Sequence, residues 1–375
     1  MSVPLLDLKP QYDGIKAELN SAVARVVESQ HFILGPEVDA LEDEMAEFLG
    51  VRHAIGCASG TDALLLSLKA LNPEEGEEAI LPAFTFFATA GAAWNAGFRP
   101  IFCDIDPVTF NVTPETVGDM WSDRTRVVIA VHLFGQMAPM NELKRFVSKR
   151  GGVLLEDAAQ SIGAHQVAGA GSSGRSVMAG AAGDAGAFSF FPTKNLGGFG
   201  DGGLVSTSDA DLAARVRKLR VHGGKQMFRH ELVGINSRLD AIQAAVLRAK
   251  LPYLEGWIGD RRANASRYHE ALGGLQGIQI PETLEGNVHV YNQYTIRVER
   301  RDELQAHLKA RQIGTGMYYP VPLHLQECFL ELGGRKGQLP EAERACSEVL
   351  SLPIFPELGE KRQADVSGAI TDFYT

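Results

Sequence analysis

The sequence predicts an α/β protein with a mostly parallel sheet covered by helices on both faces, followed by a smaller α+β domain. Three observations carry this. Short apolar runs alternate with helical patterns from about residue 20 to 220, as in sheets whose crossovers are helices. After residue 235 the pattern changes to long helices and one alternating strand. The length, 375 residues, favours one large and one smaller domain, which we divide as 1–250, including an N-terminal arm, and 251–375.

In chain order, "HAIGCA" reads as a buried strand and "TDALLLSLKAL" as the helix after it. "AILPAFTFFATAGAAWNAGF", Ala79 to Phe98, has no charge over its twenty residues. Its Pro82, Gly91, Asn95 and Gly97 make it a buried strand, turn and helix rather than a membrane span. "RPIFCDI" and "RVVIAVHLF" are further strands, and "PMNELKRFVSKRG" is a helix opened near Pro139 and stopped at Gly151. "VLLED", "GAFSF" and "GLVST" are strands, and "SDADLAARVRKLRVHG" is a helix. The glycine-rich Val167–Gly186 stretch reads as a mobile loop or flap. Pro252 should kink or break the long helical pattern that begins at "RLDAIQAA". "VHVYNQYTIRV" alternates like a half-buried strand, and "RDELQAHLKARQI" is a helix.

Composition narrows the function classes. With 45% hydrophobic and 22% charged residues, the chain suits a soluble globular protein. A net charge of −10 argues against a nucleic-acid partner and leaves room for a local anion pocket. The four cysteines, Cys57, Cys103, Cys328 and Cys346, form no C-x-x-C pair, which fits a reducing cytoplasm and neither a zinc cage nor a disulfide framework. "MSVPLLDLKPQYDG" lacks the apolar core of a signal peptide.

Candidate chemistry centres on Lys194, in "GAFSFFPTKNLGGFGDGG". A lysine between aromatic residues and glycines is either a solvated loop side chain or an amine desolvated for use on a carbonyl. Asp157 ends the strand "VLLED", where α/β ligand sites lie. A carboxylate there suits the pyridinium nitrogen of pyridoxal phosphate and equally suits a helix cap. "GCASGTDALLLSL" brings the Gly60, Thr61 and Asp62 amides to a helix N-terminus, either a phosphate site or a plain N-cap by Ser59 or Thr61. Ser189 could add a hydroxyl to the same phosphate. Weaker motifs compete. "GAGSSG" matches G-x-G-x-x-G without the flanking strand and helix of a dinucleotide fold. Asp104-x-Asp106 is the carboxylate spacing of a metal-dependent glycosyltransferase and, more commonly, of turn caps. "GCASG" lacks the spacing of a nucleophile elbow.

Taken in order, "FILGPEVDALEDEMAEFLG", "CASGTDAL", "PAFTFFAT", "LLEDAAQSIGA", "FSFFPTKNLGGFGDGG" and "INSRLDAIQAA" resemble the DegT-type sugar-nucleotide aminotransferases over nearly the whole chain. The resemblance implies the fold-type-I architecture of pyridoxal-phosphate enzymes and a homodimer with shared active sites. It implies that Lys194 is the lysine covalently bound to pyridoxal phosphate. By the same resemblance Asp157 holds the ring nitrogen protonated, Gln160 contacts the ring hydroxyl and Phe86 stacks on the ring. Gly60, Thr61 and Ser189 hold the phosphate, and Asn236 reaches it from the second subunit. The implied donor is L-glutamate and the acceptor a keto-sugar nucleotide, with no metal. "YNQYTIRV", "YYPVPLHLQ" and "GDGG" resemble the subgroup that aminates C3 of UDP-2-acetamido-3-keto-glucuronic acid, with Arg238, Tyr319 and His324 as candidate substrate contacts. Two departures, Tyr318 in place of a frequent histidine and the long loop after Gly163, keep a dTDP-3-keto-6-deoxyhexose substrate open. Other readings are a sugar dehydratase, disfavoured because those relatives carry histidine where Lys194 stands, and a regulatory protein of the same fold without turnover.

Overall fold

The computed structural model describes residues 2–167, 176–224 and 228–375. Helices α1 (Lys9–Gly14), α2 (Lys16–Ser29) and α3 (Pro36–Leu49) come first. Then strands and helices alternate as β1 (His53–Cys57), α4 (Gly60–Ala70), β2 (Glu78–Pro82), α5 (Phe87–Ala96), β3 (Arg99–Cys103), α6 (Pro114–Gly118), β4 (Thr125–Val131), α7 (Met140–Ser148) and β5 (Val153–Asp157). They continue as β6 (His165–Val167), β7 (Ser176–Met178), β8 (Ala185–Ser189), β9 (Gly203–Thr207), α8 (Ala210–Leu219) and α9 (Ala241–Lys250).

The large sheet has the order β1-β9-β8-β5-β4-β2-β3. Every pairing from β8 to β3 is parallel, and β9 runs antiparallel to both β8 and β1. All strands except β9 therefore point the same way. Consecutive residues on each strand face opposite sides and both are apolar. Ile55, Leu81, Ile129, Leu155 and Val205 pack under α4, α5 and α8. Their neighbours Ala54, Ile80, Val128, Leu154 and Leu204 pack under α3, α7 and α9. This two-sided burial, worth roughly 1.5–3 kcal/mol per large apolar side chain, is why the strands read as continuous apolar runs.

The chain continues as α10 (Leu254–Leu272), β10 (Ile278–Gln279), β11 (Asn287–Val288), β12 (Tyr294–Val298), α11 (Arg301–Ala310), α12 (Pro340–Glu348), β13 (Val349–Leu352) and α13 (Glu360–Tyr374). A third core joins Tyr268, Tyr294, Ile296, Leu304, Leu350 and Ile370, and Val3 from the N-terminal arm belongs to it too. Pro252 lies in a short 3-10 turn separating α9 from α10, since it has no amide to continue the ladder.

Two expectations change. "VHVYNQYTIRV" is not one half-buried strand: Tyr291 has a φ of 45°, and its ring stacks on His289 at 3.9 Å. The strand after this break, β12, lies between β10 and β13 and is buried along its whole length, so its alternation marks no solvent face. The Val167–Gly186 stretch is tied down where it is described. β7 pairs with β6, and the Gly180 and Gly183 amides donate to the Glu156 carboxylate at 2.8 and 2.6 Å. The "GAGSSG" motif lies outside the described residues.

Candidate active site

The carboxyl ends of the parallel strands gather Cys57, Val131, Asp157 and Ser189 along one edge. Register places Asp157 between Val131 and Ala187, and Gly203 between Cys57 and Ser189. Gly203 leaves room for the turn after β1, since a Cβ there would stand 2.2 Å from the Ser59 carbonyl oxygen.

That turn opens α4. The Ser59 hydroxyl accepts the Asp62 amide at 3.1 Å, and the Ser59 carbonyl accepts the Ala63 amide at 2.9 Å. The Gly60 and Thr61 amides have no acceptor among the described residues, the open donor pair that makes a helix N-terminus an anion site. Ser189 closes the cradle, because a Cβ on Gly60 would lie 2.6 Å from the Ser189 Cβ. The N-cap reading holds for Ser59, and the Gly60 and Thr61 amides are left over from that cap.

Asp157 is buried. Its carboxylate accepts the Thr89 hydroxyl at 2.8 Å and the Ala159 amide at 3.2 Å. Burial pushes the carboxyl above the ordinary aspartate range, and the Thr89 and Ala159 hydrogen bonds, Lys194 and His132 pull it back. The adjacent Glu156 turns away, towards His132 Nε2 at 2.7 Å. His132 Nδ1 accepts the Ala138 amide at 3.2 Å, so Nε2 carries the hydrogen donated to Glu156.

Lys194 is half-buried in the turn after β8. Desolvation lowers its amine to about 8, and Asp157 opposes that shift. The aromatic flank acts through the scaffold: Phe188 and Phe190 are core residues, whereas Phe191 is exposed. Gln160 accepts the Phe134 amide at 2.7 Å and donates to the Tyr319 hydroxyl at 3.0 Å. Burial raises the Tyr319 hydroxyl, and the nearby Asp157 charge adds to this. Phe86, at the N-cap of α5, is 56% exposed and its ring centre lies 5.9 Å from that of Tyr319.

The structure thus joins Lys194, Asp157, Gln160, Tyr319 and Phe86 around one edge, with Gly60, Thr61 and Ser189 on the same side of the sheet. Asn236 is exposed and forms an isolated bridge with Val221. Arg238 is half-buried. Between them the Ser237 hydroxyl accepts the Ala58 amide at 3.3 Å, so the segment passes beside the α4 turn of its own chain. His324 is 2% exposed and its Nε2 faces the half-buried Glu343 at 3.2 Å.

Sequence reasoning missed Thr89 and the His132–Glu156 pair. Thr85 and Thr89, four residues apart in "TFFAT", were a usable signal, and their hydroxyls lie 3.2 Å apart. The competing carboxylates are engaged. Asp104 accepts the Glu341 and Ala342 amides at the start of α12, and Asp106 accepts the Val108 and Thr109 amides. Among the described residues no group of three or more His, Cys, Asp or Glu could hold a metal, and no helix is long and apolar enough to cross a membrane.

Comparison with known proteins gives the family. The sequence profile of the DegT/DnrJ/EryC1/StrS aminotransferase family matches residues 13–371. The chain is 47% identical to a pleiotropic regulatory protein of Geobacillus stearothermophilus, covering 100% of this chain and 99% of that one. It is 42% identical to a UDP-N-acetyl-3-dehydro-alpha-D-glucosamine 3-aminotransferase of Acidithiobacillus ferrooxidans, covering 98% and 97%. It is also 42% identical to a dTDP-3-amino-3,4,6-trideoxy-alpha-D-glucose transaminase of Streptomyces venezuelae, covering 99% and 96%. The solved structure of S. venezuelae DesV in complex with a ketimine intermediate superposes with a TM-score of 0.95 at 42% identity, covering 100% of this chain and 98% of that one. The chain belongs to the DegT/DnrJ/EryC1/StrS aminotransferase family and is a pyridoxal-phosphate-dependent aminotransferase of fold type I.

Proposed function

We propose that the chain moves an amino group from L-glutamate to C3 of a keto-sugar nucleotide, with UDP-2-acetamido-2-deoxy-3-keto-glucuronic acid as the first substrate to try. The observation that carries the reading is the convergence of an amine lowered to about 8 at Lys194, the buried Asp157 carboxylate and the free Gly60 and Thr61 amides at one sheet edge. These residues fit pyridoxal phosphate. The α4 amides and the Ser189 hydroxyl suit a phosphate, Asp157 suits a pyridinium nitrogen, Gln160 suits the ring hydroxyl, and the exposed Phe86 ring suits a stacking face. When bound, the cofactor supplies an aldehyde for amine exchange and a ring that takes up electrons.

The chain's own groups do the rest. At pH 7 on the order of a tenth of an amine with that pKa is neutral and nucleophilic. Lys194 Nζ, when free, would take the proton from the donor Cα and later deliver a proton to the sugar carbon that receives the nitrogen. Asp157, ionised, holds positive charge on the ring nitrogen and so stabilises negative charge building up elsewhere. We assign Tyr319 and Arg238 to the sugar and diphosphate. His324 supports the Leu323–Leu325 turn through Glu343 and would reach substrate only if that pair opened.

Relatives named for UDP and for dTDP sugars match equally well, so dTDP-3-keto-6-deoxyhexoses form the second substrate set. The regulatory name belongs to the Geobacillus relative, and the complete Lys194, Asp157 and Gln160 set of this chain speaks for turnover. We further propose a cytoplasmic homodimer in which Asn236 reaches the neighbour's phosphate. The exposed apolar side chains of Phe32, Ile33, Phe199 and Val233 are the kind of surface a second copy would cover.

The deciding experiment incubates the protein with glutamate and a panel of UDP and dTDP keto sugars, with mass spectrometry of the products. Borohydride reduction and peptide mapping accompany it. An amino sugar and a pyridoxyl group on Lys194 are expected; a label on another lysine would overturn the assignment.

A further inference from the structure

Among the described residues Lys250 has no charged partner. It ends α9 with 5% of its surface exposed, and no carboxylate among the described residues forms an ion pair with it. Its Nζ donates to the Gly197 carbonyl at 2.7 Å and stands 5.2 Å from the centre of the Phe199 ring. Buried lysines are rare because the ammonium gives up its hydration, and this burial lowers the amine to about 8. Seven residues earlier, roughly two helical turns, Gln243 uses its Oε1 to accept the Phe199 amide at 2.7 Å.

Both side chains therefore grip the backbone of the turn that carries Lys194. The inner side of that turn is held by the chain near β8: Lys194 N–H donates to Phe191 O at 2.9 Å and Gly198 N–H to Phe190 O at 2.8 Å. Asn195 Nδ2 adds a bond to Val290 O at 3.2 Å. The outer edge, Gly197 to Phe199, faces α9. There is no slack between the two sides. A Cβ on Gly197 would lie 2.3 Å from Pro192 O, and one on Gly198 would lie 2.8 Å from Gln243 Oε1.

We propose that Lys250, with Gln243, is a positioning residue for Lys194: the pair clamps the outer edge of the Pro192–Phe199 turn and so fixes where the Lys194 amine stands relative to Asp157. A charged donor suits the task, because its bond to a carbonyl is stronger than a neutral one. The proposal rests on the reading of Lys194 as the cofactor lysine.

The test uses Lys250→Met, similar in length and without the donor, and Gln243→Ala, which removes the Phe199 acceptor if the first variant does not fold. Each is compared with the parent, all loaded with pyridoxal phosphate. Hydrogen exchange of the Gly198 and Phe199 amides should rise on the order of tenfold or more while the sheet stays protected. With glutamate and an accepted keto sugar, kcat should fall on the order of tenfold with the glutamate KM within about twofold, as for a misplaced reacting group. Unchanged exchange and kcat in a folded, loaded variant would overturn the proposal, as would a rise in exchange no greater in the turn than across the sheet. Failure of the underlying reading shows separately, as a borohydride label away from Lys194 in the parent.

Discussion

Thr89 offers a direct test of how the fold sets the Asp157 charge. Its hydroxyl donates to Asp157 and therefore accepts from Thr85. Thr89→Val keeps the shape and removes the donor. A hydrogen bond to a charged group contributes about 1.5–3 kcal/mol, and one pKa unit corresponds to about 1.4 kcal/mol. The Asp157 carboxyl, already raised by burial, should rise further when the Thr89 donor is lost. The sign comes from linkage: a buried carboxyl with a raised pKa favours the folded apo chain when protonated, and that contribution is lost as pH rises through the folded value. Pairing with a pyridinium needs the ionised form, so cofactor binding responds the other way and weakens as pH falls. The assay is a cofactor titration of the apoprotein across pH, monitored by absorbance, for the parent, Thr89→Val and Thr89→Ser. The groups facing Asp157, namely Lys194, His132, Tyr319 and the Ala159 amide, are common to all three, so their contributions cancel in the comparison. The acid limb of binding should move up by about 1–2 pH units in Thr89→Val and return in Thr89→Ser. Superimposable acid limbs for parent and valine variant would refute the reasoning.

Two further outcomes rest on the same geometry. Asp157→Asn should bind cofactor more weakly and, once saturated with it, lose on the order of 10²-fold or more in transamination rate, as when one preorganised electrostatic group is removed; single-turnover rates near the parent's would reduce Asp157 to a cap. Mixing an inactive Lys194→Ala chain with an inactive Asn236→Ala, Arg238→Ala chain should restore some activity, since one of the two shared sites in the heterodimer is then intact. Mass-confirmed heterodimers without activity would show that each chain builds its own site.

Much of the scaffold was legible because its determinants are local. Strand runs such as "VLLED", the α4 start at "SGTD" and the break at Pro252 each depend on a few neighbouring residues, through periodicity, capping or a missing amide. Lys194 and Asp157 stood out for the same reason, each marked by the segment around it. The roles of Gln160 and Asn236 came from resemblance rather than from spacing.

What only the tertiary structure decided involves residues far apart in the chain. Thr89 meets Asp157 across 68 positions, Gln160 meets Tyr319 across 159, and Asp104 caps a helix 237 residues away. The burial of β12 on both faces depends on which strands and helices pack against it, and the antiparallel direction of β9 on how the chain returns to the sheet. Periodicity says which face of an element is apolar; it does not say which element will cover that face, or which polar group will stand opposite a buried carboxylate. Lys250 shows the difference most plainly. In sequence it closes an ordinary helix, and only packing buries its amine against the turn that carries Lys194.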